Sequence, residues 1–239
     1  MTAKNRTMTD QHAFSATFDE AWQRFLAGEP LVATEEQRDG FLRGRAQFLS
    51  LQVPIGEMAV ADEIAALMEE LSDIDGISLI AQELLHISIR GVGFQVIAKK
   101  LEDDVLRQDV GKIGERAAKA LRGMKPIDVT IGPVNVFPDA LILQVDPIEP
   151  MRDLLRVLAE VTPLDAFPYG VERYLPHVTI ATFLDASVGG QLRARLLALR
   201  DRAPLTARID RIDYVRWWFT GHDLAAWPEL DTIRTYKLR

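Results

Sequence analysis

Two short stretches of the chain set an imidazole and a hydroxyl two residues apart. The first reads Leu84-Leu85-His86-Ile87-Ser88-Ile89-Arg90 and the second Pro176-His177-Val178-Thr179-Ile180-Ala181. Apart from Arg90 at the end of the first, both are otherwise apolar, as a buried strand is. Side chains alternate faces along a strand, so His86 and Ser88 share one face while Leu85, Ile87 and Ile89 take the other. By the same rule His177 and Thr179 face together, and Val178 and Ile180 turn to a core. Two such strands facing each other would gather two imidazoles and two hydroxyls, a set suited to a phosphodiester. A neutral imidazole deprotonates the attacking oxygen, and a charged one protonates the leaving oxygen. The hydroxyls donate hydrogen bonds to the non-bridging phosphate oxygens, where charge must be stabilised. The scheme needs neither a metal nor a cofactor. A lone histidine in an apolar strand is more often structural. Here two of only four histidines fall in one repeated pattern, which favours chemistry.

Other residues are secondary candidates. Arg90 lies two positions beyond Ser88, so alternation puts it on the motif face. There it would hold a phosphate bidentately, or pair with an acid at the rim. Tyr169 and Tyr174 precede the second motif and would either stack on a base or pack against a neighbour. In Trp217-Trp218-Phe219 one tryptophan should face the core and the other the surface or a cleft. Arg173 and Arg216 are weaker candidates of the same kind. His12, in a polar N-terminal stretch, and His222, after Gly221, are read as inert. The chain has no GxxxxGK[ST] phosphate loop, no His-Glu-x-x-His metal helix and no Gly-x-Ser-x-Gly elbow.

Composition narrows the classes further. With no cysteine among 239 residues, disulfides, thiolate catalysis and cysteine-ligated zinc are excluded. The N-terminal stretch lacks an apolar signal region, and no apolar run is long enough to span a membrane. A cytoplasmic protein with no membrane association is expected. The net charge is −7, the acidic excess lying in the first 150 residues. Proteins that coat long nucleic acid are usually basic, so the expected partner is a small nucleotide or an RNA-terminal phosphate. The sequence does not fix the oligomeric state; a monomer is the expected form.

The elements that must position the two motifs follow from periodicity. Residues 1–45 read as an N-terminal helical extension, with an amphipathic helix over Phe18–Leu26 and a second helix capped by Thr34. Residues 46–239 form the main body. Strands are expected over Phe48–Val53, Leu84–Ile89, Val129–Val136, Leu141–Val145 and His177–Phe183, with one or two over Leu205–Phe219 and a last over Thr232–Leu238. Helices are expected over Val60–Leu71, Val105–Leu121, Met151–Leu158 and Leu192–Leu199. Strand–helix units thus flank a hairpin turning at Phe137-Pro138-Asp139.

On these residues the chain resembles the two-histidine (2H) phosphoesterase superfamily, in particular its branch of RNA 2′-5′ ligases and cyclic phosphodiesterases. His86-Ile87-Ser88-Ile89 and His177-Val178-Thr179-Ile180 match the family's paired His-x-Thr/Ser motifs, each followed by an apolar residue, and Pro176 is typical too. Phe137-Pro138, the strand Leu141–Val145 and the closing strands resemble the family over about residues 46–239. The resemblance implies an α+β, bilobal fold: two antiparallel sheets backed by helices, related by a pseudo-twofold axis, with the histidines in a central cleft. It implies opening of 2′,3′-cyclic phosphates, or joining of RNA ends through 2′-5′ linkages by the reverse reaction. Other branches act on ADP-ribose cyclic phosphate, 2′-5′ oligoadenylate or the 3′ end of small RNA. Ser88 departs from the commoner threonine, and Arg90-Gly91-Val92-Gly93 from the usual basic-aromatic-leucine-glycine run. A nucleotide-binding module without turnover is the rival reading, and a metal-dependent phosphatase a third.

Overall fold

A computed structural model describes residues 15–161, 170–219 and 227–239. Among these residues ten strands form one sheet. They are β1 (Gln47–Pro54), β2 (Ile77–Leu79), β3 (His86–Val96), β4 (Asp104–Leu106), β5 (Ile127–Phe137), β6 (Ala140–Asp146), β7 (His177–Phe183), β8 (Leu205–Ile209), β9 (Arg211–Trp218) and β10 (Glu229–Lys237). The helices are α1 (Phe18–Leu26), α2 (Thr34–Leu42), α3 (Ala61–Glu69), α4 (Val110–Ala120), α5 (Ile148–Ala159) and α6 (Gly189–Arg200). The main path runs β10-β9-β1-β3-β7-β6-β5-β8, with β2 beside β7 and β4 beside β3. The two lobes are therefore two halves of a continuous sheet, β10-β9-β1-β3 and β7-β6-β5-β8. They join through one antiparallel pair, Ile87 with Val178.

Helices α3 to α6 cover one face of this sheet. Ile64 and Met68 of α3, Ile113 and Ala117 of α4, Leu154 and Leu158 of α5, and Leu192 and Leu196 of α6 form one core with Leu49, Leu51 and Val53 of β1. The same core takes Ile87 and Ile89 of β3, Leu143 and Val145 of β6, and Val178 and Ile180 of β7. Strand alternation sends the intervening residues to the other face. There two small apolar clusters form. One holds Phe18, Ala140, Ile142 and Leu175, and the other Phe48, Phe94, Val215 and Trp217.

Residues 15–45 bear on both faces. Trp22 and Phe25 of α1 enter the main core. Phe18 stacks on Phe137 at 6.3 Å, and Asn135 Nδ2 donates to the Phe18 carbonyl. In α2, Phe41 packs against Phe48 and Phe94 with ring centroids 4.9 and 5.0 Å away. Arg45 anchors the following turn, pairing with Asp103 and the buried Asp104.

Three expectations are corrected. Thr34 is not an N-cap: it is the first helical residue after Ala33, and its hydroxyl donates to the Phe183 carbonyl instead. The Leu84–Ile89 strand begins at His86, because Gln82–Leu84 closes a 3₁₀ turn, and it continues to Val96. The long helix over Val105–Leu121 is divided. Asp104–Leu106 pairs in parallel with Phe94–Val96, a 3₁₀ turn follows, and α4 begins only at Val110. Gly93 permits that pairing: at φ +125°, a Cβ here would lie 2.3 Å from the Asp103 carbonyl oxygen, which the neighbouring Phe94 amide binds.

Candidate active site

Both motifs stand at the joint between the lobes, each histidine being the first residue of its strand. Ile87 and Val178, the joining pair, are fully buried in the helix-backed core. His86, Ser88, His177 and Thr179 keep part of their surface open, on the face opposite α3–α6. In an antiparallel ladder centred on Ile87 and Val178, the register sets His86 opposite Thr179 and Ser88 opposite His177. The pseudo-twofold relation thus passes through two apolar residues, and the four polar ones surround it.

The two imidazoles are held alike. His86 Nδ1 lies 2.7 Å from the Leu84 carbonyl oxygen, and His177 Nδ1 lies 2.8 Å from the Leu175 carbonyl oxygen. A carbonyl only accepts, so each Nδ1 carries a hydrogen and donates it. In the neutral ring the lone pair is then on Nε2. The Ser88 hydroxyl stands 3.0 Å from His86 Nε2, placed to donate to it. Each ring also packs on an aromatic side chain. Trp217 lies 5.0 Å from His86, and Phe137 meets His177 edge-on at 4.9 Å.

The surroundings of the two rings differ in charge. Desolvation pushes the His86 pKa down from 6.5 to about 4; the Leu84 carbonyl opposes this, and the nearby His177 adds to it. Desolvation also lowers the His177 pKa, but the Leu175 carbonyl and the Asp139 carboxylate both work the other way. His177 therefore has an anionic neighbour that favours its charged form, whereas the charge acting on His86 is the other imidazole.

The remaining candidates are distributed unevenly. Arg90 is buried, 3% exposed, and pairs with Leu51 across a bulge that leaves Ile89 as the extra residue. The bulge breaks the two-residue alternation, so the sequence argument no longer carries Arg90 onto the motif face. Tyr174 is tied down: its hydroxyl donates to the Ser88 carbonyl at 2.8 Å, and burial pushes its pKa up. Tyr169, His12 and His222 lie outside the described residues. Arg173 is exposed, and Arg216 pairs with Asp231 and stacks over Trp218. Trp217, the buried member of its pair, flanks His86 on the motif face and donates to Ser50 Oγ at 3.1 Å.

Sequence reasoning missed Asp139, Phe137 and two buried glutamines, Gln52 and Gln144. The turn around Phe137-Pro138-Asp139 was visible, but the packing of Phe137 on His177, 40 residues further along the chain, is a tertiary contact. A cavity of about 780 Å³ lies elsewhere, lined by Asp128, Thr130, Asp146, Thr206 and Arg208 among others. No motif residue lines it, so it is not taken as the reactive site. Among the described residues no three His, Asp or Glu side chains are grouped to hold a metal ion, and no helix is long and apolar enough to cross a membrane.

The model of the 2′-5′ RNA ligase superfamily matches residues 60–218. No curated protein sequence matches the chain. Among solved structures, E. coli LigT complexed with 3′-AMP is similar with a TM-score of 0.56 at 10% identity, over 81% of this chain and 98% of that one. TT0787 of Thermus thermophilus gives 0.55 at 13% identity, over 80% and 98%. A structure described as a phosphoesterase gives 0.57 at 11% identity, over 81% and 99%. At such identities the likeness is one of fold.

Proposed function

Because the chain belongs to the 2′-5′ RNA ligase superfamily, a family of phosphoesterase and ligase-like enzymes, we propose that it opens 2′,3′-cyclic phosphates, on RNA ends or small nucleotides, by acid–base catalysis between His86 and His177. One observation carries the reading: a single strand pair, Ile87 with Val178, brings two His-x-hydroxyl motifs together on the face opposite α3–α6.

His86 is the base. With Nδ1–H bound to the Leu84 carbonyl, its Nε2 carries the lone pair and takes a proton from water once the Ser88 hydroxyl turns away. The water oxygen attacks phosphorus, the bond to the 3′ oxygen breaks, and that oxygen takes a proton from His177 Nε2. The product is a 2′-phosphate with a free 3′-hydroxyl. Desolvation lowers the His177 pKa, but the Asp139 carboxylate works against it, a charge that His86 lacks, which supports the acid role for His177. Ser88 and Thr179 donate hydrogen bonds to the non-bridging oxygens, Ser88 turning its hydroxyl from His86 to the phosphate. An RNA 5′-hydroxyl in place of water gives a 2′-5′ linkage by the same transfers, a second reading supported by the family's name. That E. coli LigT has been solved with 3′-AMP bound supports a nucleotide as substrate.

The test is incubation with 2′,3′-cyclic AMP or GMP in excess EDTA. Turnover that survives EDTA and disappears in both His86→Ala and His177→Ala is the expected result. Loss of activity on EDTA addition would point to a metal-dependent phosphatase. Binding without turnover of any cyclic phosphate would leave a nucleotide-binding module.

A further inference from the structure

Beside each motif lies a buried glutamine with one amide atom unsatisfied. Gln52 of β1 pairs with Ser88, and Gln144 of β6 pairs with His177. Paired residues point to the same side of a sheet, and the flanking Leu51, Val53, Leu143 and Val145 all enter the opposite, helix-backed core. Both amides therefore share the motif face. Gln52 is 1% exposed and Gln144 6%. Among the described residues Gln52 Oε1 and Gln144 Nε2 have no hydrogen-bond partner. A buried polar atom left unpaired opposes folding, and an apolar side chain like those next to it would fill either position at no such cost.

We infer that Gln52 and Gln144 are substrate-positioning residues that hold a ribonucleotide on either side of the reacting phosphorus. The inference rests on reading this face as a phosphodiester site. The strand order β1-β3-β7-β6 separates the two backbones by three strand spacings, about 14 Å, with both motifs between them. That span exceeds a phosphate group and matches a phosphate with sugar groups extending from it. The chemistry of the free atoms fits such a ligand. A carbonyl oxygen at Gln52 repels a phosphate oxygen but accepts from a ribose hydroxyl or a base N–H. The N–H at Gln144 donates to a ribose or phosphate oxygen. Neutral amides suit the uncharged part of a nucleotide, and the motif groups take the charged part.

The test uses Gln52→Met and Gln144→Met, which keep length and volume but remove the polar atoms. For each variant the melting temperature is recorded, with kcat and KM for 2′,3′-cyclic AMP and calorimetric binding of 3′-AMP. The expected result is a melting temperature equal to or above that of the parent protein, a KM raised at least tenfold, and an unmoved pH profile of kcat. A lowered melting temperature would make the amides structural and overturn the inference, as would an unchanged KM. If the parent protein binds 3′-AMP without turning over the cyclic substrate, the phosphodiesterase reading fails alone. Weakened 3′-AMP binding in the variants then still supports the positioning role, and equal binding overturns it. If the parent protein binds no 3′-AMP and turns over no cyclic phosphate, both readings fall.

Discussion

At the scale of single residues, the site depends on which nitrogen carries the proton. Two backbone carbonyls, at Leu84 and Leu175, hold the rings with Nδ1 protonated and Nε2 turned to chemistry. Replacing either histidine by alanine should lower kcat by about 10²-fold or more, measured on 2′,3′-cyclic AMP or an RNA end carrying the cyclic phosphate. Ser88→Ala and Thr179→Ala should each cost about 1–3 kcal/mol of transition-state binding, the range for hydrogen bonds to a charged group. An undiminished kcat/KM in Thr179→Ala would remove that residue from the site. The pH dependence follows from the two lowered pKa values. A base that is neutral down to about pH 4 and an acid titrating below 6.5 give a kcat/KM optimum on the acid side of neutrality. Asp139 raises the His177 pKa, so Asp139→Asn should move the alkaline limb to lower pH and leave the acid limb in place. An alkaline limb that stays fixed in this variant would separate Asp139 from the acid.

At the scale of elements, the strand start matters more than the strand. Each histidine opens its strand, and its ring reaches back to the carbonyl two residues earlier, still outside the strand. The chain entering β7 also secures the other motif, because the Tyr174 hydroxyl binds the Ser88 carbonyl. Tyr174→Phe should therefore cost about 1 kcal/mol of stability in denaturant titrations, the net value of one hydrogen bond. The N-terminal helices serve the site face as well as the core. Phe18 of α1 stacks on Phe137, which packs edge-on against His177. Deleting a buried phenyl ring costs about 3–5 kcal/mol, so Phe18→Ala should shift the urea midpoint strongly. A midpoint within error of the parent protein would make α1 a passive appendage.

At the scale of the whole molecule, one sheet has two unlike faces. All the large helices after β1 pack on one side, and the other side keeps buried polar groups at Ser50, Gln52, Asn135, Gln144 and Asp213. Holding an imidazole there has a consequence for acid stability. The unfolded chain protonates His86 near pH 6.5, whereas the folded chain keeps it neutral to about pH 4. Between those values the unfolded state binds more protons, so stability declines as the pH falls through that window. A shift of this size corresponds to about 3 kcal/mol. Thermal melts from pH 7 to pH 4 should show the decline, and His86→Gln should flatten it. Equal pH slopes in the two proteins would contradict the buried environment assigned to this ring.

The sequence alone determined the two motif strands, because a hydroxyl two positions from a histidine, within apolar residues, specifies one polar and one buried face. It determined α1, the central hairpin and β7 closely, since their periodicities are clear and their ends are marked by glycine, proline or aspartate. It did not determine where Val105–Leu121 changes from strand to helix, because that depends on Gly93 allowing Asp103 to approach β3. Nor did it locate Arg90, whose place on the motif face rested on an alternation that the bulge at Ile89 interrupts. The meeting of His86 with His177, the closeness of Asp139 to only one of them, and the burial of Gln52 and Gln144 were decided by tertiary structure. Each depends on contacts between segments far apart in the chain, and local propensity carries no information about which segments will become neighbours.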